Sequence, residues 1–171
     1  MIMKILLSLL LGTCLLAACS PKYDWREIHG STAPFVLAFP AKPNSETRAT
    51  QLGNIKLEMT MHSVRIEAIT FAAGSAALPD ATQAQNALPL LKAALLANIG
   101  GQITSENTSA NGDVQLEAKG SQNQHGTVQP LQLQARFLTR GKYLYQLVIM
   151  GPPDKLAREQ SDTFFTSFKA E

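Results

Sequence analysis

The chain has 171 residues, 45% of them hydrophobic and 16% charged, with a formal net charge of +2. That length suits one domain with its own core. So weak a positive balance, with no Lys/Arg run, gives no electrostatic case for a nucleic-acid partner.

Met1–Lys4 is a short, weakly basic start, and "ILLSLLLGTCLL" (Ile5–Leu16) is an uncharged, largely apolar run that ends in Ala17 and Ala18. This is the three-part layout of a secretory signal, and the run is too short for a bilayer span of about 20 residues. A buried core helix would carry a polar face, which this run lacks. Leu16-Ala17-Ala18-Cys19 resembles the lipobox of bacterial lipoproteins. The resemblance implies a diacylglyceryl group on the Cys19 thiol, cleavage between Ala18 and Cys19, and acylation of the new amino group by a fatty chain such as palmitate. The resemblance adds that Ser20, rather than Asp, after the cysteine favours an outer-membrane anchor facing the periplasm of a Gram-negative cell. Cys14 leaves with the leader, so the mature chain would hold one cysteine, and neither an internal disulfide nor a thiolate metal site could form. Two acyl chains already hold a protein stably at a membrane, at about 0.8 kcal/mol per buried methylene. The expected division is a signal peptide over 1–18, a lipidated start and polar tether over 19–33, and one globular domain over 34–171. That stretch could be a flexible spacer, or Trp25 could dock on the domain's edge, the reading favoured here.

From "PFVLAFP" (Pro34–Pro40) onward the pattern is that of a sheet. In Gly53–His62 the residues Ile55, Leu57, Met59 and Met61 share one face, and Asn54, Lys56, Glu58, Thr60 and His62 the other, as in a half-buried strand. A second strand is predicted around Arg65–Ala73. "DATQAQNALPLLKAALLANIGG" predicts a helix that starts at Pro79-Asp80, stops at Gly100-Gly101 and is kinked or split by Pro89. Its inner stripe is Ala84, Ala87, Leu88, Leu91, Leu95 and Ile99.

Asn111-Gly112 suits a type I′ hairpin turn joining 102–109 to 114–119, where Val114, Leu116 and Ala118 point inward. Leu131, Leu133, Ala135 and Phe137 alternate along 130–138, and a tight turn at Arg140-Gly141 leads into Lys142–Met150. That last strand is apolar on both faces and is predicted to lie centrally. A second helix is read in "PPDKLAREQSDTFFTSF", with Asp154 in its first turn and Ala157, Phe164, Phe165 and Phe168 inward; Phe168 could instead begin a short strand.

The predicted class is therefore α+β: a mainly antiparallel sheet of about six to eight strands covered by two helices. The order of elements, the opening "FVLAFPAKP", the strand "LYQLVI" and the ending "FFTSF" together resemble the PsbP-like α/β/α sandwich over about 34–169. That resemblance implies a non-enzymatic accessory domain; it carries no catalytic motif, and fold alone does not give function.

Motifs for catalysis are missing: no H-E-x-x-H, G-x-S-x-G, P-loop or G-x-G-x-x-G occurs, and no cofactor or metal site is expected. The three histidines, His29, His62 and His125, share no local motif. Folding could join His62 to His125, or Glu58 to Glu67 as a carboxylate pair. The first helix carries one charge, Lys92, between Ala81 and Ile99. Leu90, Ala93, Leu96 and Ala97 lie off its main stripe and are a candidate partner surface. In "QNQHGTVQPLQLQ" uncharged amides on a strand face could hydrogen-bond a polymer such as a glycan. The expected function is a membrane-anchored binding or assembly module for an envelope protein or glycan. A periplasmic hydrolase, or a carrier of an apolar ligand between first helix and sheet, are the alternatives.

Overall fold

A computed structural model describes residues 22–124 and 126–171. The leader, the cleavage position at Ala18-Cys19, Ser20 and His125 lie outside the described residues. Among the described residues ten strands and two helices follow in the order β1 (Arg26–Gly30), β2 (Phe35–Phe39), β3 (Asn44–Leu52), β4 (Ile55–Ile66), β5 (Ile69–Ala77), α1 (Ala81–Asn98), β6 (Gln102–Thr108), β7 (Val114–Gln124), β8 (Thr127–Arg140), β9 (Tyr143–Gly151), α2 (Arg158–Thr166) and β10 (Lys169–Ala170). Seven of the strands form an antiparallel sheet in the order β3-β4-β5-β9-β8-β7-β6. The α+β class, the antiparallel sheet and the two helices agree with the sequence. A second sheet, β1-β2-β10, was not expected.

The large sheet has a core on each side. On one side α1 lays Ala84, Ala87, Leu88 and Leu91 onto Ala72, Ala118, Leu133, Ala135 and Val148. Alanines on both surfaces let helix and sheet approach closely. On the other side the small sheet and α2 bury Phe35, Leu37, Phe39, Phe71, Leu147 and Phe164. Strand β9 alternates between the two: Leu144 and Val148 face α1, while Tyr145, Leu147 and Ile149 face the small sheet. It lies fourth of seven, the central position its two apolar faces predicted. The Tyr145 hydroxyl donates to the Pro34 carbonyl at 2.9 Å, and burial pushes its pKa up to about 12.

The ends of α1 follow local chemistry. Asp80 is its N-cap and accepts from the Gln83 N–H at 2.8 Å. At the other end Gly100, with φ 55°, donates to Ala97 O, and Gly101 donates to Leu96 O, a Schellman stop that needs a left-handed residue. Of the two outcomes expected at Pro89, a kink or a split, the split does not occur, since α1 runs unbroken from Ala81 to Asn98. Pro89 and Gln85 both lie on the exposed side, where water can take the Gln85 carbonyl that proline leaves unbonded. The helix end then meets β7: Ser121 N–H donates to Ile99 O, and a Cβ on Gly120 would sit 2.4 Å from that same oxygen.

Four expectations need correction. The stretch read as tether contains β1, which pairs with all of β2; Trp25 docks as expected, edge-on to Phe71 at 6.3 Å, and Tyr23 joins it at 6.5 Å. The 110–113 turn is not type I′, because Gly112 has φ 84° but Asn111 is not left-handed; the Gly112 N–H bonds back to Ser109 O instead. The second predicted strand starts later, at Ile69, after a turn held by Glu67 at φ 53°. Helix α2 begins only at Arg158, so Asp154 precedes it and Ala157 is its exposed N-cap rather than an inner residue. Among the described residues no helix is long and apolar enough to cross a membrane.

Candidate functional site

The candidate residues of the sequence are scattered by the fold. His29 is exposed on β1. His62, expected at a strand end on a polar face, sits within β4 and turns toward the small sheet. There the Phe35 ring packs edge-on to it at 5.9 Å, and burial lowers its pKa. Glu58 and Glu67 fall toward opposite ends of β4, about 25–30 Å apart at roughly 3.3 Å per residue, so they form no carboxylate pair. Glu67 instead meets Lys22 at 2.9 Å. Among the described residues no group of three His, Cys, Asp or Glu could hold a metal ion.

On α1, Ala93 and Ala97 are exposed and Leu90 is 38% exposed, whereas Leu96 is half-buried against the α1 core. Leu90 leans toward Gly53 in the β3–β4 turn. Lys92, the lone charge, bonds Glu106 of β6 at 2.7 Å and ties the helix to the sheet edge. The apolar surface left over is a leucine and two alanines, small for a docking patch.

A different surface is more developed. On the side away from α1, the small sheet and α2 cover β5, β9 and one flank of β8, and the outward face of β8-β7-β6 continues beyond them. The register places Gln115 opposite Arg136 and Glu117 opposite Gln134, giving a polar row on each strand. Helix α2 forms the bank of this trough, and its deepest part is a depression of about 440 Å³ between Gln115, Glu117, Gln134, Leu156, Arg158, Ser161, Asp162 and Phe165. Two shallower depressions, of about 240 and 200 Å³, share Gln115 with it and extend it past Asn107 to Ser109, Asn111, Asp113 and Arg136. The whole is of the size that takes a small ligand or a polymer segment.

Two features of the trough are chemically specific. The Oε1 of Gln134 is buried without a hydrogen-bond partner, while its Nε2 lies 3.4 Å from Glu117 Oε1. A buried amide oxygen of that kind is an acceptor in want of a donor. At the far end Asp113, 7% exposed, receives Arg136 Nη2 at 2.8 Å and both terminal nitrogens of Arg140, at 2.7 and 3.0 Å. Burial would raise the Asp113 carboxyl, but the hydrogen bonds from Arg140 and Arg136 outweigh it and hold it below its ordinary value. The same carboxylate raises Arg140.

The sequence pointed to part of this surface. The amide-rich run ends at Gln134, which lies in the trough. Arg136 and Arg140 were missed, because only the β7–β8 register brings them to Asp113 from 23 and 27 residues away. The surface offers amide and hydroxyl groups, one half-buried aromatic ring and a fixed guanidinium, a set suited to holding a polar ligand. Comparison with protein-family models gives no match, and comparison with curated proteins gives none either.

Proposed function

We propose that this chain is a lipid-anchored protein of the bacterial cell envelope, held at the outer membrane through Cys19, whose domain binds a glycan along the β6–β8 trough. The seven-stranded sheet, with α1 on one face and the small sheet and α2 on the other, supports a PsbP-like architecture, which we propose for the domain. The observation that carries the binding role is the polar row of Gln115, Glu117 and Gln134 lining the trough, with Phe165 on its bank. Sugar hydroxyls both donate and accept, and an exposed planar amide such as that of Gln115 pairs with adjacent hydroxyls in two-point fashion. An aromatic ring such as Phe165 offers its face to the C–H side of a pyranose. Anchoring rests on the sequence of residues 1–19 and fits a single mature cysteine.

Membrane fractionation tests the anchor. The native chain is expected in the membrane pellet even in high salt, and Cys19→Ala is expected to become soluble or keep its leader. Unchanged fractionation and processing in the variant would refute the anchor. Co-sedimentation of the detergent-extracted chain with insoluble cell-wall polysaccharide tests the trough. Retention of the native chain, with several-fold loss in Phe165→Ala, is expected; a native chain left in the supernatant contradicts glycan binding.

A further inference from the structure

The Arg136 end of the trough is more than a structural ion cluster. Asp113 accepts three hydrogen bonds from two arginines, so the trio carries one surplus positive charge beside the 200 Å³ depression. The two arginines are engaged unequally. Arg140 grips the carboxylate with both Nη1 and Nη2 and also gives Nη1 to the Thr139 carbonyl at 2.8 Å. Arg136 touches Asp113 through Nη2 alone and has no further protein acceptor among the described residues. Whichever Nη2 hydrogen Asp113 takes, one two-donor edge of the Arg136 guanidinium stays unused. Arg136 is 28% exposed, lines the depression and is held in one orientation by a buried carboxylate. A fixed guanidinium edge matches a carboxylate bidentately.

We infer that Arg136 is the binding residue of a subsite for a carboxylate carried on a sugar, with Asp113 and Arg140 as its positioning residues. The inference deepens the glycan-binding reading and rests on it. Neutral groups, Gln115 opposite Arg136 and Asn107 one strand beyond, line the same depression and suit hydroxyls next to the acid group. Further along the trough Arg158 is paired with Asp162 at 3.6 Å and Glu117 adds a negative charge, so no free cation there waits for a second anion. A sugar with one carboxylate therefore fits better than a polyanion. A peptide's terminal carboxylate would need an apolar recess for its side chain, and the residues around Arg136 supply only polar groups.

The experiment is an NMR titration of the full chain in detergent micelles with glucuronic acid, glucose, inorganic phosphate and an N-acetylated dipeptide, following the Arg136 Nε–H signal. Glucuronic acid is expected to bind at least tenfold more tightly than glucose and to shift that signal, weakening as salt rises. Arg136→Gln should reduce glucuronic acid to the level of glucose, and Arg136→Lys, which keeps charge but not the forked edge, should fall between. Gln115→Ala should weaken both sugars alike, and glucose bound by Arg136→Gln as tightly as by the native chain shows that the Arg136 variant is folded. Equal affinity for glucuronic acid and glucose, native affinity in Arg136→Gln, or tighter binding of the phosphate or the dipeptide would each overturn the subsite. Failure here with polysaccharide co-sedimentation intact removes only the subsite. Binding of glucuronic acid without any co-sedimentation removes the polymer role and leaves the subsite standing.

Discussion

Phe164→Ala is expected to lower stability by about 3–5 kcal/mol, the range for emptying a large aromatic site in a packed core. Phe164 is fully buried on α2, and its ring meets Phe39 at 5.3 Å, Phe71 at 5.5 Å and Phe165 at 5.5 Å, mostly edge to face. Nothing else holds α2 as firmly. The helix has nine residues, its N-cap Ala157 makes no side-chain bond, and Ser161, Thr163 and Thr166 turn their hydroxyls back onto the carbonyl four residues earlier. Such a helix is marginal by itself and depends on the face it buries. Loss of the ring should therefore loosen α2, and with it β10 and the bank of the trough. Urea unfolding would show the midpoint falling with little change in slope. Thr163→Ala, on the outer side, should shift stability by only about 0.5 kcal/mol. A midpoint in Phe164→Ala no lower than in Thr163→Ala would contradict the packing described.

Asp113→Asn is expected to cost about 2–3 kcal/mol, less than a fully buried ion pair, because Arg136 and Arg140 are 28% and 37% exposed and solvent screens part of the interaction. The substitution preserves shape but removes the charge that keeps two guanidiniums side by side. A pH signature accompanies it. The folded-state pKa of Asp113 lies below its ordinary 3.8, so the contribution is complete above that value and disappears as pH falls below it through the folded pKa. Thermal unfolding from pH 6 down to pH 2 should show the native chain losing this increment below about pH 4, with the native and Asp113→Asn curves converging. Parallel curves over that range would mean that the carboxylate is not what binds the two arginines.

How much of this was legible depended on whether a segment has one buried face. Strand β8 could be read because Leu131, Leu133, Ala135 and Phe137 alternate strictly, and β9 because it is apolar throughout. Strand β3, "NSETRATQL", was invisible: it is an edge with both faces largely in water, so hydrophobic alternation has nothing to record. Strand β4 hides a change of partner. Leu57 and Met59 face α1, but toward the other end Val64 and Ile66 lie under the small sheet, on the opposite side of the same strand. His62 is near that crossover, which is why it looked like a surface residue and packs against Phe35 instead.

The candidate site was legible in its amides and illegible in its charges. Gln134 belongs to a run whose composition is unusual in itself. Asp113 read as a turn residue, and its meaning comes from the antiparallel register that sets Val114 opposite Phe137 and so brings Arg136 and Arg140 alongside. Long-range pairing of that kind leaves no local pattern in either segment. The α1 surface shows the converse: Leu90, Ala93, Leu96 and Ala97 looked conspicuous in sequence, but the fold half-buries Leu96 and leans Leu90 on Gly53.

The membrane anchor is the premise on which the location of the trough depends, and intact-mass spectrometry of the chain extracted from native membranes tests it most directly. The expected mass begins at Cys19, lacks residues 1–18 and includes two or three acyl chains. A mass that retains the leader from Met1, or that begins at residue 19 with an unmodified thiol, would contradict it.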